Sequence, residues 1–142
     1  MSVKTLGTLI KVHKQRLDQL RRQMVALQEE LHQLEQLAAR LKREHEEEIE
    51  LVAREHSLAS FFGSYSSHTR KKLEKIAEET ARLEETIEKK RAEIAEEFGE
   101  QKKYEIAQTN LKAKLDAQEK RLQMGRLDEI ATQQYMRHKE EP

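Results

Sequence analysis

A row of residues spaced alternately three and four apart runs through the first third of this chain. Val3, Leu6, Ile10, His13, Leu17, Leu20, Met24, Leu27, Leu31, Leu34, Ala38, Leu41 and His45 hold that alternation over six heptads, and all but the two histidines are apolar. A sustained apolar period of 3.5 residues specifies a helix whose stripe must be covered by another helix, the seam of a coiled coil. A polar residue at a seam position commonly fixes register at a cost in stability, so His13 and His45 read as register-setting layers rather than as ligands. Beyond His45 the frame is expected to slip through a four-residue insertion to Ile49, Val52, His56 and Ala59, a stutter that unwinds a supercoil locally without ending the helix.

Composition narrows the class further. Of 142 residues, 38% are charged and 36% hydrophobic, with one Pro and few aromatics, which is too polar for an ordinary globular core and too rich in periodic Leu, Ile and Ala for disorder. A compact enzyme-like domain is therefore not expected. The absence of Cys removes disulfides, thiolate nucleophiles and Cys-based zinc sites, and a reducing cytosol is the compartment least at odds with it. No stretch approaches the roughly 20 apolar residues that span a bilayer, and Met1-Ser2-Val3-Lys4 meets charge before a signal-peptide core could form, so a soluble chain without a cleaved leader is expected. Basic and acidic side chains balance at 27 each, which gives no argument for nucleic acid as a partner.

Residues 57–69 contain Gly63, carry no Asp, Glu, Lys or Arg, and end in Ser66, Ser67 and Thr69, which could cap a following helix. They predict a turn over 59–66 between a helix at 3–58 and a second at 67–138. Leu73, Ile76, Thr80, Leu83, Ile87 and Ile94 start the second seam, which loosens past Phe98 and Gly99 to Tyr104, Ala107 or Gln108, Leu111, Leu115, Gln118 and Leu122. Gly99 and Gly125 are weak points costing ~1 kcal/mol each relative to Ala. Two long amphipathic helices joined by one turn fold back so that each covers the other's stripe. The expected fold is all-α, an antiparallel two-helix coiled-coil hairpin forming a single domain over 1–142, with the C-terminal helix the longer. At 1.5 Å per residue the helices would be ~84 Å and ~108 Å long. Folding about Gly63 sets residue 3 near 122–126 and leaves 127–138, roughly 18 Å of helix, unpaired.

The neutral total hides a gradient. Residues 1–22 are net +5 and 102–139 net +4, whereas 44–55 and 74–100 are each net −5. In the expected hairpin the two basic stretches share the terminal end and the two acidic stretches share the half nearer the turn. Such fields steer charged partners to one end; solvated helix faces with i,i+4 pairs give the same pattern without a partner.

Chemistry-bearing motifs are sparse. One Glu-x-x-His match to a helical di-iron site, Glu29 with His32, falls on outer heptad positions that cannot converge in a two-helix core, so no metal or other cofactor is expected. No phosphate-binding glycine loop is present, and a pair of helices offers no pocket that excludes water, so catalysis is not expected. Two uncovered apolar places remain. Phe61, Phe62 and Tyr65, three of the six aromatics, sit at the turn and either contact a partner or cap the coiled coil. Leu127, Ile130, Ala131 and Tyr135 recur at i, i+3, i+4 and i+8 on the overhang and need either a partner or a frayed end.

The basic N-terminal helix, the hairpin layout, Leu73-Glu74-Lys75-Ile76 following a Ser-Tyr, and above all Arg126-Leu127-Asp128-Glu129-Ile130-Ala131 with Arg137 close behind resemble the FliJ family of bacterial flagellar type III export. The resemblance covers the chain in length and layout, and its specific part is the C-terminal segment. It implies a non-catalytic, cytoplasmic stalk, similar to the gamma subunit of rotary ATPases. Its termini would enter the pore of the hexameric flagellar export ATPase. The opposite half would contact the cytoplasmic domain of the export gate and handle export chaperones, with membrane association through those partners only. Arg126, Leu127, Asp128, Glu129, Ile130, Tyr135 and Arg137 are the implied ATPase contacts. The turn departs from the family pattern, so Phe61, Phe62 and Tyr65 stand as gate or chaperone contacts on their place at the tip alone. Two other functions fit the same residues: a cytosolic coiled-coil escort that holds amphipathic client segments along its acidic half, and a dimeric structural spacer whose seam pairs between chains.

Overall fold

The computed structural model describes residues 1–140 of the chain. Two helices account for almost all of it: α1, Val3–Arg54, and α2, Ala59–Glu140, joined by a 3-10 turn at His56–Leu58. The protein is all-α, and the C-terminal helix is much the longer, 82 residues against 52. At the start of α1 the Ser2 hydroxyl accepts the Thr5 backbone N–H at 3.1 Å, satisfying one of the amides that a helix N-terminus leaves without a partner.

The junction lies earlier than the sequence predicts. Glu55 alone is extended (φ −123°, ψ 98°), its amide still bonded to the Leu51 carbonyl at 2.9 Å, and the Leu58 amide closes the turn on the Glu55 carbonyl at 3.2 Å. The expected turn at 59–66 is instead the first two turns of α2, and Gly63 sits in it with a helical backbone and open space around it. Packing accounts for the difference. In α2 the shielded positions run Phe62, Ser66, Thr69, Leu73, Ile76, Thr80, Leu83, Ile87, Lys90, Ile94, Glu97, Gln101, Tyr104, Gln108 and Leu111, an unbroken alternation of fours and threes. The uncharged stretch is thus seam, and burial of Phe62 and Thr69 holds it helical. In α1 the alternation likewise continues from His45 to Glu48 and Val52, while Ile49 stays 47% exposed, so there is no stutter. Beyond Val52 the next seam position falls on Glu55, where the backbone turns extended and the helix ends.

The chain divides into two compact units, one of residues 16–97 and one of 1–15 with 98–142. In the first, called here the corner unit, α1 and α2 run antiparallel. Gln23 accepts a hydrogen bond from the Lys90 ammonium at 2.9 Å, and the His45 ring stacks on Phe62 with centroids 5.8 Å apart. Its best shielded apolar side chains are Leu17, Met24, Ile76 and Ile87, with Thr69 buried among them. In the second, the terminal unit, Leu6 and Ile10 supply the shielded core, His13 stacks on Tyr104 at 5.2 Å, and the Gln108 amide donates to the Val3 carbonyl at 3.1 Å. Gly7 permits that last contact, since a Cβ there would stand 3.2 Å from the Gln108 amide nitrogen. Val3 therefore meets residue 108 rather than the expected 122–126. The unpaired part of α2 is correspondingly longer, 112–140, about 43 Å of helix instead of 18 Å.

Candidate contact surfaces

In the terminal unit every residue from Lys112 to Glu140 is exposed. Arg126, Leu127, Asp128, Glu129, Ile130, Tyr135 and Arg137 all lie in this uncovered helix, with Leu127 62% and Tyr135 68% exposed. The sequence also assigned Leu115 and Leu122 to an inner seam. They continue the line of Leu111, but α1 has already ended and nothing covers them. At 100° per residue, Leu127 points about 140° away from Leu122, so the apolar face turns round the helix between the two. The Thr132 hydroxyl bonds back to the Asp128 carbonyl at 2.8 Å, a local bond that leaves the Asp128 carboxylate facing water.

Where this unit is packed, polar groups carry part of the seam. Gln101 is buried and donates to one Glu105 oxygen at 2.9 Å, while Lys102 reaches the other at 3.0 Å and lies over the Phe98 ring at 5.4 Å. The Gln101 hydrogen bond foremost, with the Lys102 bond second, holds the Glu105 carboxyl below the usual carboxylate range. The Gln101 side-chain amide oxygen, Oε1, is buried with no partner. Across the terminal unit Lys and Arg number twelve against eight Asp and Glu, a net +4, so the neutral chain leaves the corner unit at −4.

In the corner unit Glu48, Leu51, Val52, Leu58, Phe61, Phe62 and Tyr65 line a groove where the two helices meet the 3-10 turn. The three tip aromatics divide between the two roles expected of them. Phe62 turns inward onto His45 with the rings 9° from parallel and closes the end of the packed seam. Phe61, 74% exposed, and Tyr65 face outward. Leu51 and Leu58 complete this surface and were not picked out from sequence, because the expected slip of frame took Leu51 for an ordinary outer position; an unbroken heptad count to Val52 would have set Leu51 at the seam's edge.

His45 Nδ1 is buried beside this groove without a partner, the structural cost of the polar layer. Glu29 and His32 are both exposed, and among the described residues no three His, Asp or Glu side chains converge as a metal site. Among the same residues no helix is long and apolar enough to cross a membrane. Comparison with protein-family models, curated proteins and solved structures finds no match to this chain.

Proposed function

We propose that this chain is a non-catalytic stalk of the flagellar type III protein export apparatus, in which the uncovered end of α2 enters the ring of the hexameric export ATPase and promotes its assembly. On this reading the chain is cytoplasmic and peripheral to the inner membrane, held there by the ATPase, the cytoplasmic domain of the export gate and export chaperones. The observation that carries it is the stretch 112–140: helical, wholly exposed, and bearing Leu115, Leu122, Leu127, Ile130 and Tyr135 with no intramolecular cover. An apolar helix end gains most free energy when a partner encloses it. The basic balance of the terminal unit supports a partner surface of acidic character.

The test is stimulation of a purified flagellar export ATPase together with its hexamer formation. Leu127→Ala with Ile130→Ala should weaken the half-maximal concentration about tenfold or more, the usual effect of removing interface side chains of this size, with helical content unchanged because neither residue is packed within the chain. Stimulation equal to that of the unsubstituted protein would exclude the terminal end. A second reading, an escort for amphipathic segments, draws support from the groove at the corner.

A further inference from the structure

Leu51, Leu58, Phe61 and Tyr65 form one apolar surface at the corner, and the acidic residues around it are not scattered at random. Within α1, Glu44, Glu47 and Glu48 stand at i−7, i−4 and i−3 from Leu51, spacings that place side chains on one helical face, with Arg54 at i+3 the single basic side chain among them. The same face changes sign further along. Arg40, Lys72 and Lys75, against one acidic side chain, Glu79, line a second groove with Leu37, Leu41 and Ile76, and Arg40 reaches Glu44 at 4.0 Å. The apolar surface with its acidic rim is therefore bounded. From Leu51 back to Arg40 it extends about 16 Å, three turns of helix.

We infer that this corner groove is a docking site for a basic amphipathic helix of about three turns from a separate protein. One or two large apolar side chains of that helix would seat among Leu51, Leu58, Phe61 and Tyr65, while its Lys or Arg residues meet Glu44, Glu47 and Glu48. The charge rim selects the occupant. An apolar segment with acidic flanks is repelled, and a second copy presenting its own corner opposes like charge to like. A second copy presenting its basic terminal unit would make a head-to-tail contact, which builds rings or filaments and so shows as self-association of the free chain. The inference deepens the reading of the corner as a partner-contact surface and rests on it; it does not rest on the assignment to an export ATPase.

The probe is a fluorescein-labelled amphipathic peptide of about 14 residues, Leu on one helical face and Lys elsewhere, with a control in which Glu replaces every Lys. Binding to the full chain is followed by anisotropy at about 0.1 M salt, where contacts within a Debye length still act. The Lys peptide should bind and the Glu peptide should not. Leu51→Ala with Phe61→Ala, and separately Glu44→Gln with Glu47→Gln and Glu48→Gln, should each weaken binding tenfold or more, while Leu127→Ala with Ile130→Ala leaves it unchanged. The charge variant retains every apolar contact, so its loss of binding cannot come from damage to the groove. Equal affinity in both corner variants, binding of the Glu peptide, dependence on Leu127 and Ile130, or concentration-dependent self-association of the free chain in sedimentation would each overturn the inference. None of these results touches ATPase stimulation, so the two readings fail separately.

Discussion

Helix α2 contains two stretches that invert the usual relation between residue type and burial. From Phe62 to Leu111 its seam includes Ser66, Thr69, Thr80, Lys90, Glu97, Gln101 and Gln108, all partly or wholly shielded. From Lys112 onward it carries Leu115, Leu122, Leu127 and Ile130, all exposed. Burial along α2 is thus set by where α1 lies and only secondarily by what α2 offers. The apolar stripe of α1 is continuous enough to shield polar partners through their aliphatic stems, as Lys90 shows by reaching Gln23 from a seam position. The helix that contributes fewer apolar groups to the seam retains a surplus for contacts elsewhere.

Truncating one apolar side chain in each stretch separates the two most. Ile87→Ala, in the shielded stretch, should lower unfolding free energy by about 2 to 3 kcal/mol, whereas Leu122→Ala should stay within about 0.5 kcal/mol in denaturant titration. Equal losses at the two sites would mean that 112–140 is packed. His45→Leu should raise the melting temperature, by an amount equivalent to about 1 kcal/mol: it removes a buried nitrogen without a partner, at the expense of ring stacking on Phe62 worth about 0.5 to 1.5 kcal/mol. A fall in melting temperature would make the stack the larger quantity.

Glycine substitutions sharpen the position of the turn. Gly63→Ala should stabilise by roughly 0.5 to 1 kcal/mol, because the residue is helical with open space around it. A destabilisation there would restore the turn to 59–66. The smallest effect concerns Glu105, whose carboxyl is held low by Gln101 and Lys102. A depressed folded value means that its contribution to stability is present above the ordinary Glu range and is lost as pH falls through the lowered value. In a carbon-detected NMR titration Gln101→Ala should move the Glu105 midpoint upward; an unmoved midpoint would assign the depression to Lys102.

The first seam was legible in the sequence because nothing interrupts it: every position from Val3 to His45 is shielded as the heptad requires. The turn was not, because two signals conflict between Ser57 and Thr69. Lack of charge and the presence of Gly63 suggest a loop, while Phe62, Ser66 and Thr69 keep the four-three spacing, and only packing against α1 decides between them. The error then doubles. In an antiparallel pair each residue by which a turn is misplaced misplaces every partner by two, and Val3 meets Gln108 where 122–126 was expected. Leu127, Ile130 and Tyr135 fall outside the seam because α2 outruns its partner, as its greater length predicts, whereas Leu115 and Leu122 keep to the seam line and so resemble buried residues.

Among the described residues no side chain is wholly withdrawn from solvent; even Leu17 keeps 3% of its surface and Ile87 4%. With only one neighbouring helix on one side, water stands at the edge of every layer. A truncated seam residue therefore leaves a notch that solvent fills instead of a dry void, and the penalty stays near the transfer free energy of the missing methylenes, without the added term that a sealed cavity imposes. Such a molecule should accumulate seam substitutions gradually, each weakening its own layer, where a globular core of the same size would fail at a single one.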